Sequence, residues 1–174
     1  MERAWILLGM MGAGKSALGR GVAELSGRPF VDTDILLQNR FGRPVSQIFQ
    51  IYGEQTFRDH ENSVLRGLEP GPYILATGGG IVTREENWNE LRRIGTTIFL
   101  QASPETLIGR LEQSKKRRPL LETENWQERA RGILESRLPL YLQADLVVRV
   151  DGLELDTAPQ VVLDQIRRHE ADRS

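Results

Sequence analysis

The chain has 174 residues, which is enough for one sizeable hydrophobic core and too few for two ordinary domains, so a single domain over residues 1–174 is predicted. Its 39% hydrophobic and 27% charged residues are typical of a globular protein and exclude a long disordered chain. A formal net charge of -1 provides no global field for holding nucleic acid, and the absence of cysteine excludes a disulfide framework, a thiolate zinc site and a cysteine nucleophile.

Five short apolar runs alternate with longer stretches of helical spacing. Strands that alternate with helices indicate βαβ units, and therefore a parallel sheet with helices on both faces. The predicted fold class is α/β with a five-stranded parallel sheet. The predicted strands lie at residues 5–8, 30–31, 73–76, 97–100 and 146–150.

The first apolar run extends over residues 4–11 and is followed at once by Gly12-Ala13-Gly14-Lys15. It therefore lacks the features of a signal peptide and of a membrane span, and no later run reaches the length that a spanning helix needs. We expect a protein of the reducing cytoplasm that has no membrane partner.

The strongest motif directly follows the first strand, where residues 9–16 read Gly-Met-Met-Gly-Ala-Gly-Lys-Ser and match the phosphate-loop pattern G-x-x-x-x-G-K-[ST]. Its glycines let backbone N–H groups point at phosphate oxygens, and the helix that follows adds positive charge at its N-terminus. Lys15 is expected to neutralise the β and γ phosphates, and Ser16 to ligate Mg²⁺. The predicted nucleotide-binding residues here are Gly12, Ala13, Gly14, Lys15, Ser16 and Ala17.

Asp32-Thr33-Asp34 ends the second strand, where it is placed to face the phosphate site from a neighbouring strand. Taken alone, the pair has two interpretations. Either the carboxylates serve the site, or Asp32 caps a helix and Asp34 supplies a favourable charge in its first turn. The chain has no run of four apolar residues ending in Asp after the third strand and no Asn-Lys-x-Asp motif, which disfavours motor-type ATPases and GTPases.

Two irregular stretches are predicted to cover the site. Residues 33–70 show helical patterning broken at 42–44 and at Gly53, which predicts a helical flap over the edge of the sheet where ligands bind. Residues 114–124 contain four consecutive basic residues at 115–118 followed by Pro119, which predicts a mobile lid. The alternative for the basic run is a solvated surface, a localisation signal or a nucleic-acid patch.

Taken in order and spacing, these segments resemble the shikimate kinase family across essentially the whole chain. The resemblance rests on Asp-x-Asp at 32–34, Gly-Glu-x-x-Phe-Arg-x-x-Glu at 53–61, Gly-Gly-Gly at 78–80, Arg-Pro-Leu-Leu at 118–121 and Arg-x-Pro-x-Tyr at 137–141. It implies a phosphate-loop fold of the nucleoside-monophosphate-kinase type. It also implies transfer of the γ-phosphoryl group of ATP to the 3-hydroxyl of shikimate, a step of chorismate and aromatic amino acid synthesis, by a monomer that uses Mg²⁺.

The resemblance also implies roles for residues of the acceptor site. Arg58 and Arg137 are expected to bind the shikimate carboxylate, for which guanidinium geometry permits bidentate pairing. Asp34 is expected to meet the reacting hydroxyl as a positioning group or general base, and Gly79 and Gly80 to bring backbone N–H groups close to the substrate. For the two arginines the alternative is a surface ion pair with neighbouring glutamates. Two further residues, Phe49 and Phe57, are expected either to pack against the ring of shikimate or to belong to the hydrophobic core.

On the nucleotide side, Arg118 resembles a lid arginine that neutralises charge on the transferring phosphoryl group. Arg110 is expected to stack on adenine, and Asp32 to hold Mg²⁺ through water. Many family members continue the loop as Gly-Lys-Ser-Thr, whereas Ala17 stands here after Ser16, so we expect a somewhat weaker nucleotide affinity.

Two other functions remain open from the sequence. A kinase of another small alcohol, such as gluconate, would share the fold and the phosphate loop. A regulatory relative that binds nucleotide without catalysis would also share them, but it should have lost Lys15, Asp34 or the two arginines, and this chain keeps them all.

Overall fold

The computed structural model describes residues 2–115 and 118–174, and in these ranges it has five β-strands and seven α-helices. The strands are β1 Ala4–Leu8, β2 Phe30–Asp32, β3 Ile74–Ala76, β4 Gly95–Gln101 and β5 Leu146–Arg149. The helices are α1 Lys15–Ser26, α2 Thr33–Phe41, α3 Val45–Gly67, α4 Glu85–Ile94, α5 Pro104–Gln113, α6 Trp126–Tyr141 and α7 Ala158–Asp172. Two single turns of 3₁₀ helix lie at Ile81–Thr83 and Pro119–Leu121.

All five strands form one parallel sheet in the order β2-β3-β1-β4-β5. Every residue of β1 is buried, although successive side chains of a strand point to opposite faces. Both faces of the sheet centre are therefore covered, as the continuous apolar run Ala4–Leu8 predicted. The α/β prediction is confirmed, and the strand bounds lie close to the predicted ones.

The turn between β1 and α1 is built from glycines. Gly12 and Gly14 have φ values of 85° and 89°, in the left-handed region that residues with a Cβ rarely adopt. The turn brings the N-terminus of α1 to the carboxyl end of β1, at the edge where parallel α/β sheets bind ligands.

The flap consists of α2 and α3, which were predicted as a broken helical insertion. Gly42 in the left-handed conformation ends α2, and α3 is kinked at Gly53, where φ is 84° and ψ is 168°. The flap has its own apolar cluster, formed by Leu37, Ile48, Phe57 and Val64. Leu65 near the end of α3 belongs to the main core around the sheet instead, so the flap has its own small cluster and is anchored to the sheet through α3.

The segment predicted as a lid runs between α5 and α6. Its residues Lys116 and Arg117 lie outside the described residues. Leu121, in the 3₁₀ turn Pro119–Leu121, packs with Trp126 against a small cluster of Ile108, Leu111 and Ala130. The end of the lid is thus held by apolar contacts to α5 and α6.

Among the residues described, no helix combines the length and the apolar character needed to cross a membrane.

Candidate active site

The loop between β1 and α1 lines a cavity of about 350 Å³, here called the loop cavity. Lys15 is buried, and its Nζ donates hydrogen bonds to the carbonyl oxygens of Gly9 at 2.6 Å and Met10 at 3.0 Å. The loop therefore holds the ammonium group inside the turn. The cavity is lined by Met11, Gly12, Gly14, Lys15, Ser16, Ala17, Asp32, Asp34, Thr77, Gly78, Gly79, Arg110, Ser114 and Arg118.

The two predicted metal-binding residues lie in contact in the loop cavity. The Ser16 hydroxyl donates to Oδ2 of Asp32 at 3.0 Å. The other oxygen of Asp32 accepts from the backbone N–H groups of Asp34, at 2.8 Å, and Ile35, which makes Asp32 the N-cap of α2. The capping interpretation is therefore correct for Asp32, and its second oxygen still faces the loop.

A second cavity, of about 340 Å³, lies between the flap and the sheet and is here called the flap cavity. It contains all five residues predicted to bind the acceptor. Two flap phenylalanines, Phe49 and Phe57, also line it, with ring centroids 5.3 Å apart. Because Phe57 also belongs to the flap cluster, both interpretations of that residue hold. The predicted acceptor residues are Asp34, Arg58, Gly79, Gly80 and Arg137.

Arg58 pairs with acidic side chains, but it is not a surface residue. Its guanidinium donates to Glu61 at 2.6 Å and to Glu54 at 3.5 Å, and only 7% of Arg58 is exposed. Burial raises the pKa of the Glu61 carboxyl above its usual range, although the positive charge of Arg58 opposes the rise. The Oε2 atom of Glu61 has no hydrogen-bond partner among the described residues. Glu61 thus fixes Arg58 from one side.

Arg137 enters the cavity from α6 and lies beside Tyr141, one turn further along that helix. Tyr141 donates its hydroxyl proton to the carbonyl oxygen of Gly79 at 2.6 Å, and the positive charge of Arg137 acts on the same phenol. Burial raises the pKa of Tyr141, so the phenol stays a donor. The Nη1 atom of Arg137 is buried and has no partner among the described residues, which leaves it available to an anion in the cavity.

The three glycines after β3 form the floor between the two cavities. The N–H of Gly78 donates to the hydroxyl of Thr33 at 3.2 Å, which fixes the glycines to the start of α2. A Cβ atom on Gly80 would overlap the guanidinium of Arg58. The glycines are therefore needed for close approach of the backbone to the arginine, and a ligand in the flap cavity can approach them in the same way.

Arg118 lines both cavities, whereas Arg110 lines the loop cavity alone. Burial lowers the pKa of Arg118, and the nearby charge of Asp34 opposes this shift. Since Arg118 is not fully solvated, the interpretation of the basic run as surface does not hold for this residue. Arg110 donates to the carbonyl oxygens of Ala13 at 2.9 Å and Gly12 at 3.3 Å, so it supports the loop.

The structure adds residues for which no individual role was predicted. Glu61 and Tyr141 lie within the quoted motifs, which was the available signal, but their hydrogen bonds join segments far apart in the chain. Thr33 is fully buried beneath Gly78, and no local pattern marks that contact. Met11 lines both cavities from within the phosphate loop.

A parallel α/β sheet, a phosphate loop after β1 and an adjoining cavity with two buried arginines define a small-molecule kinase of the phosphate-loop class. The family model described as shikimate kinase matches residues 11–167. The chain therefore belongs to the shikimate kinase family, and it is an ATP-dependent kinase.

Individual shikimate kinases also match this chain over most of its length. A shikimate kinase of Thermodesulfovibrio yellowstonii is 37% identical over 164 residues, which is 94% of each chain. One of Symbiobacterium thermophilum is 47% identical over 141 residues, or 80% of this chain and 81% of the relative. The solved structure of the Acinetobacter baumannii shikimate kinase in complex with shikimate has a TM-score of 0.90 and 34% identity, covering 98% of this chain and 96% of that one.

Proposed function

We propose that this chain transfers the γ-phosphoryl group of ATP to the 3-hydroxyl of shikimate, giving shikimate 3-phosphate and ADP. The observation that carries the proposal is the junction of the two cavities. Asp34, Arg118 and the backbone of Gly78 and Gly79 line both, so a phosphoryl donor in one and an alcohol in the other meet at these residues.

The far end of the flap cavity is suited to a carboxylate. Arg58 and Arg137 come from α3 and α6, are both only 7% exposed, and converge on the same cavity. Of the two carboxylates that pair with Arg58, only Glu61 is buried and Glu54 is exposed, so the two buried guanidinium groups leave a site that a ligand anion can neutralise. A small ring with one acid group and several hydroxyls fits this arrangement, with Phe49 and Phe57 against its apolar surface.

The proposed chemistry is direct transfer by positioning and charge neutralisation. Lys15 and the loop N–H groups of Gly12 to Ala17 bind the phosphates. Asp34 orients the attacking hydroxyl and accepts its proton, either fully or as a hydrogen bond. Arg118 neutralises charge on the phosphoryl group in transit, and Arg110 lies beside the nucleotide.

We propose that Ser16 ligates Mg²⁺ directly and that Asp32 holds it through water, together with the nucleotide. Their hydroxyl and carboxylate oxygens are the hard ligands that Mg²⁺ prefers, and both face the loop cavity. Within residues 2–115 and 118–174, no group of three or more acidic or histidine side chains could hold a metal by itself, which fits an ion bound largely by phosphate and water. When bound, the ion neutralises phosphate charge.

Closure of the flap and the lid over the cavities is proposed to exclude water and to limit unproductive ATP hydrolysis. We further propose that the protein acts as a cytoplasmic monomer on small molecules, without a nucleic-acid or membrane partner.

A substrate panel tests the proposed function. Wild type is incubated with ATP and Mg²⁺ and with shikimate or gluconate, and ADP and the phosphorylated product are quantified. We expect turnover with shikimate alone, and none from a folded Lys15→Ala variant. Turnover with gluconate instead would establish the rival kinase, and nucleotide binding without turnover on either acceptor would establish the regulatory relative.

A further inference from the structure

Five residues line both cavities, and four of them are polar or glycine: Asp34, Gly78, Gly79 and Arg118. The fifth is Met11, a half-buried residue of the phosphate loop. Met11 is therefore the one large apolar residue among the described residues shared by the two cavities, and it lies where donor and acceptor have to meet.

The surroundings of Met11 connect this point to the lid. Its side chain packs against the core under the sheet and against the cluster of Ile108, Leu111 and Ala130. Leu121, three residues after Arg118, packs on the same cluster. On the other side, the backbone nitrogen of Met11 lies 3.3 Å from the position that a Cβ on Gly79 would occupy. Met11 thus joins the phosphate loop, the glycine floor and the base of the lid.

We infer that Met11 determines acceptor specificity against water, by filling the junction with an apolar side chain that gives water no place to attack. The inference rests on the proposed function. In both reactions the bond between the γ phosphorus and the oxygen that bridges it to the β phosphorus breaks and ADP leaves, a bond to the attacking oxygen forms, and that oxygen loses its proton to Asp34 or to solvent. The alcohol and the water differ in size and in anchoring, since the flap cavity holds only the alcohol in place.

The size of the side chain makes the inference testable. Met11→Ala removes three heavy atoms from the junction, and a water occupies about 30 Å³ of liquid volume. The space that opens beside Asp34 and Arg118 borders polar groups, so it can hold an ordered water. Met11→Leu nearly conserves the volume and the apolar character, and such exchanges are generally well tolerated.

The experiment measures ADP and phosphorylated shikimate in the same reaction mixture at saturating shikimate. Wild type and Met11→Leu are expected to give a ratio of ADP to product of about one, whereas Met11→Ala should give about two or more as water enters the junction. Should Met11→Ala fail to give a cooperative thermal unfolding transition, Met11→Val is measured with the same expectation.

Ile166→Ala is the matched control, because it also removes three heavy atoms from a buried apolar side chain. Ile166 lies fully buried in α7 and lines neither cavity, so this variant should be less stable but keep the ratio near one. The inference is overturned if Met11→Ala keeps a ratio near one, or if Ile166→Ala raises it as much. A wild type that releases no phosphorylated shikimate overturns the proposed function itself, whereas an unchanged ratio in active variants overturns only the role of Met11.

Discussion

At the scale of single residues, Asp34 lies both at a helix start and at the junction of the two cavities. It follows the cap residue Asp32 in the first turn of α2, and it also lines both cavities. A carboxylate in a first helical turn is favourable for the helix, so a structural role and a chemical role coincide in one side chain.

Replacing Asp34 by Asn separates these two roles. Asn keeps the shape of the side chain but cannot accept a proton, so we expect kcat to fall by about 100-fold or more while shikimate binding changes less. Steady-state kinetics and equilibrium binding of shikimate measure the two effects. A variant with wild-type kcat would leave Asp34 with the helix-start role alone.

Glu61 should impose a pH dependence on stability. Burial raises its pKa, and Arg58, Arg137 and Asp34 are the charged groups that interact with it. A raised pKa means that the folded state favours the neutral carboxyl. The stabilisation of the folded state by Glu61 is therefore fully present below pH 4.5, the ordinary pKa of a glutamate, and is lost as the pH rises through the raised pKa.

We accordingly expect the free energy of unfolding of wild type to decline relative to that of Glu61→Gln as the pH is raised above 4.5. Urea unfolding at a series of pH values measures it. Glu54→Gln, which removes the more exposed partner of Arg58, is the control and should retain the wild-type pH dependence. If the free energy of unfolding depended on pH in the same way for wild type and Glu61→Gln, the raised pKa of Glu61 would be contradicted.

At the scale of elements, the glycine segment after β3 shows that the spacing of residues along the chain does not by itself specify the contacts within a site. Gly79 and Gly80 were predicted to bring backbone N–H groups close to the substrate, but the structure reveals a contact within the protein that also requires a residue without a Cβ. A Cβ on Gly80 would overlap Arg58, which belongs to α3 in the flap.

Gly80→Ala should therefore displace Arg58 and raise KM for shikimate by about tenfold or more, with nucleotide affinity nearly unchanged, because one charge-assisted contact is lost. Gly132→Ala is the matched control. Gly132 lies inside α6 with nothing within 4 Å of its Cβ position, so alanine there should stabilise the protein by about 0.5–1 kcal/mol and leave KM alone. Equal effects on KM from both variants would show that the overlap is irrelevant to binding.

The lid is the second element with a separable function. Arg118 lines both cavities, whereas Lys115, three residues before it, is exposed. Arg118→Ala is expected to lower kcat by about 100-fold or more, since an arginine that neutralises the transferring group acts mainly in the transition state. Lys115→Ala should have little effect on kcat.

Closure of the lid can be observed directly. Trp126 packs with Leu121 at the base of the lid, so its fluorescence should change when an ATP analogue and shikimate are both bound. If Arg118→Ala left kcat unchanged and altered only the binding of nucleic acid or another partner, the proposed role of Arg118 in phosphoryl transfer would be wrong.

At the scale of the whole molecule, the parts predicted correctly from residues alone are those carried by local spacing. The apolar runs marked the strands, the phosphate-loop motif marked the turn before α1, and breaks at residues 42–44 and at Gly53 marked the flap. The contacts that were not predicted join distant segments: Tyr141 to Gly79, Thr33 to Gly78, and Met11 to the base of the lid. No short-range pattern encodes these contacts, because they exist only once the sheet order is set.

The acid-binding end of the flap cavity is likewise formed by residues far apart in the chain. It is where this kinase should discriminate most strongly between acidic and neutral acceptors. Arg58 and Arg137 come from different halves of the chain and are proposed to share one carboxylate. Replacing either by Leu should raise KM for shikimate about tenfold to hundredfold, since each charge-assisted contact contributes about 1.5–3 kcal/mol, while nucleotide affinity stays nearly constant.

Because both arginines bind the same group, their losses should not add in the double variant, which a double-mutant cycle on KM measures. A shikimate analogue with a neutral alcohol in place of the carboxylate provides the complementary test. Wild type should use it poorly, and the arginine variants should distinguish it little from shikimate, because the contact that they lack is absent from the analogue as well. If wild type phosphorylated the neutral analogue as well as shikimate, the two arginines would not be binding a carboxylate, and the assignment of an acidic acceptor would fall with them.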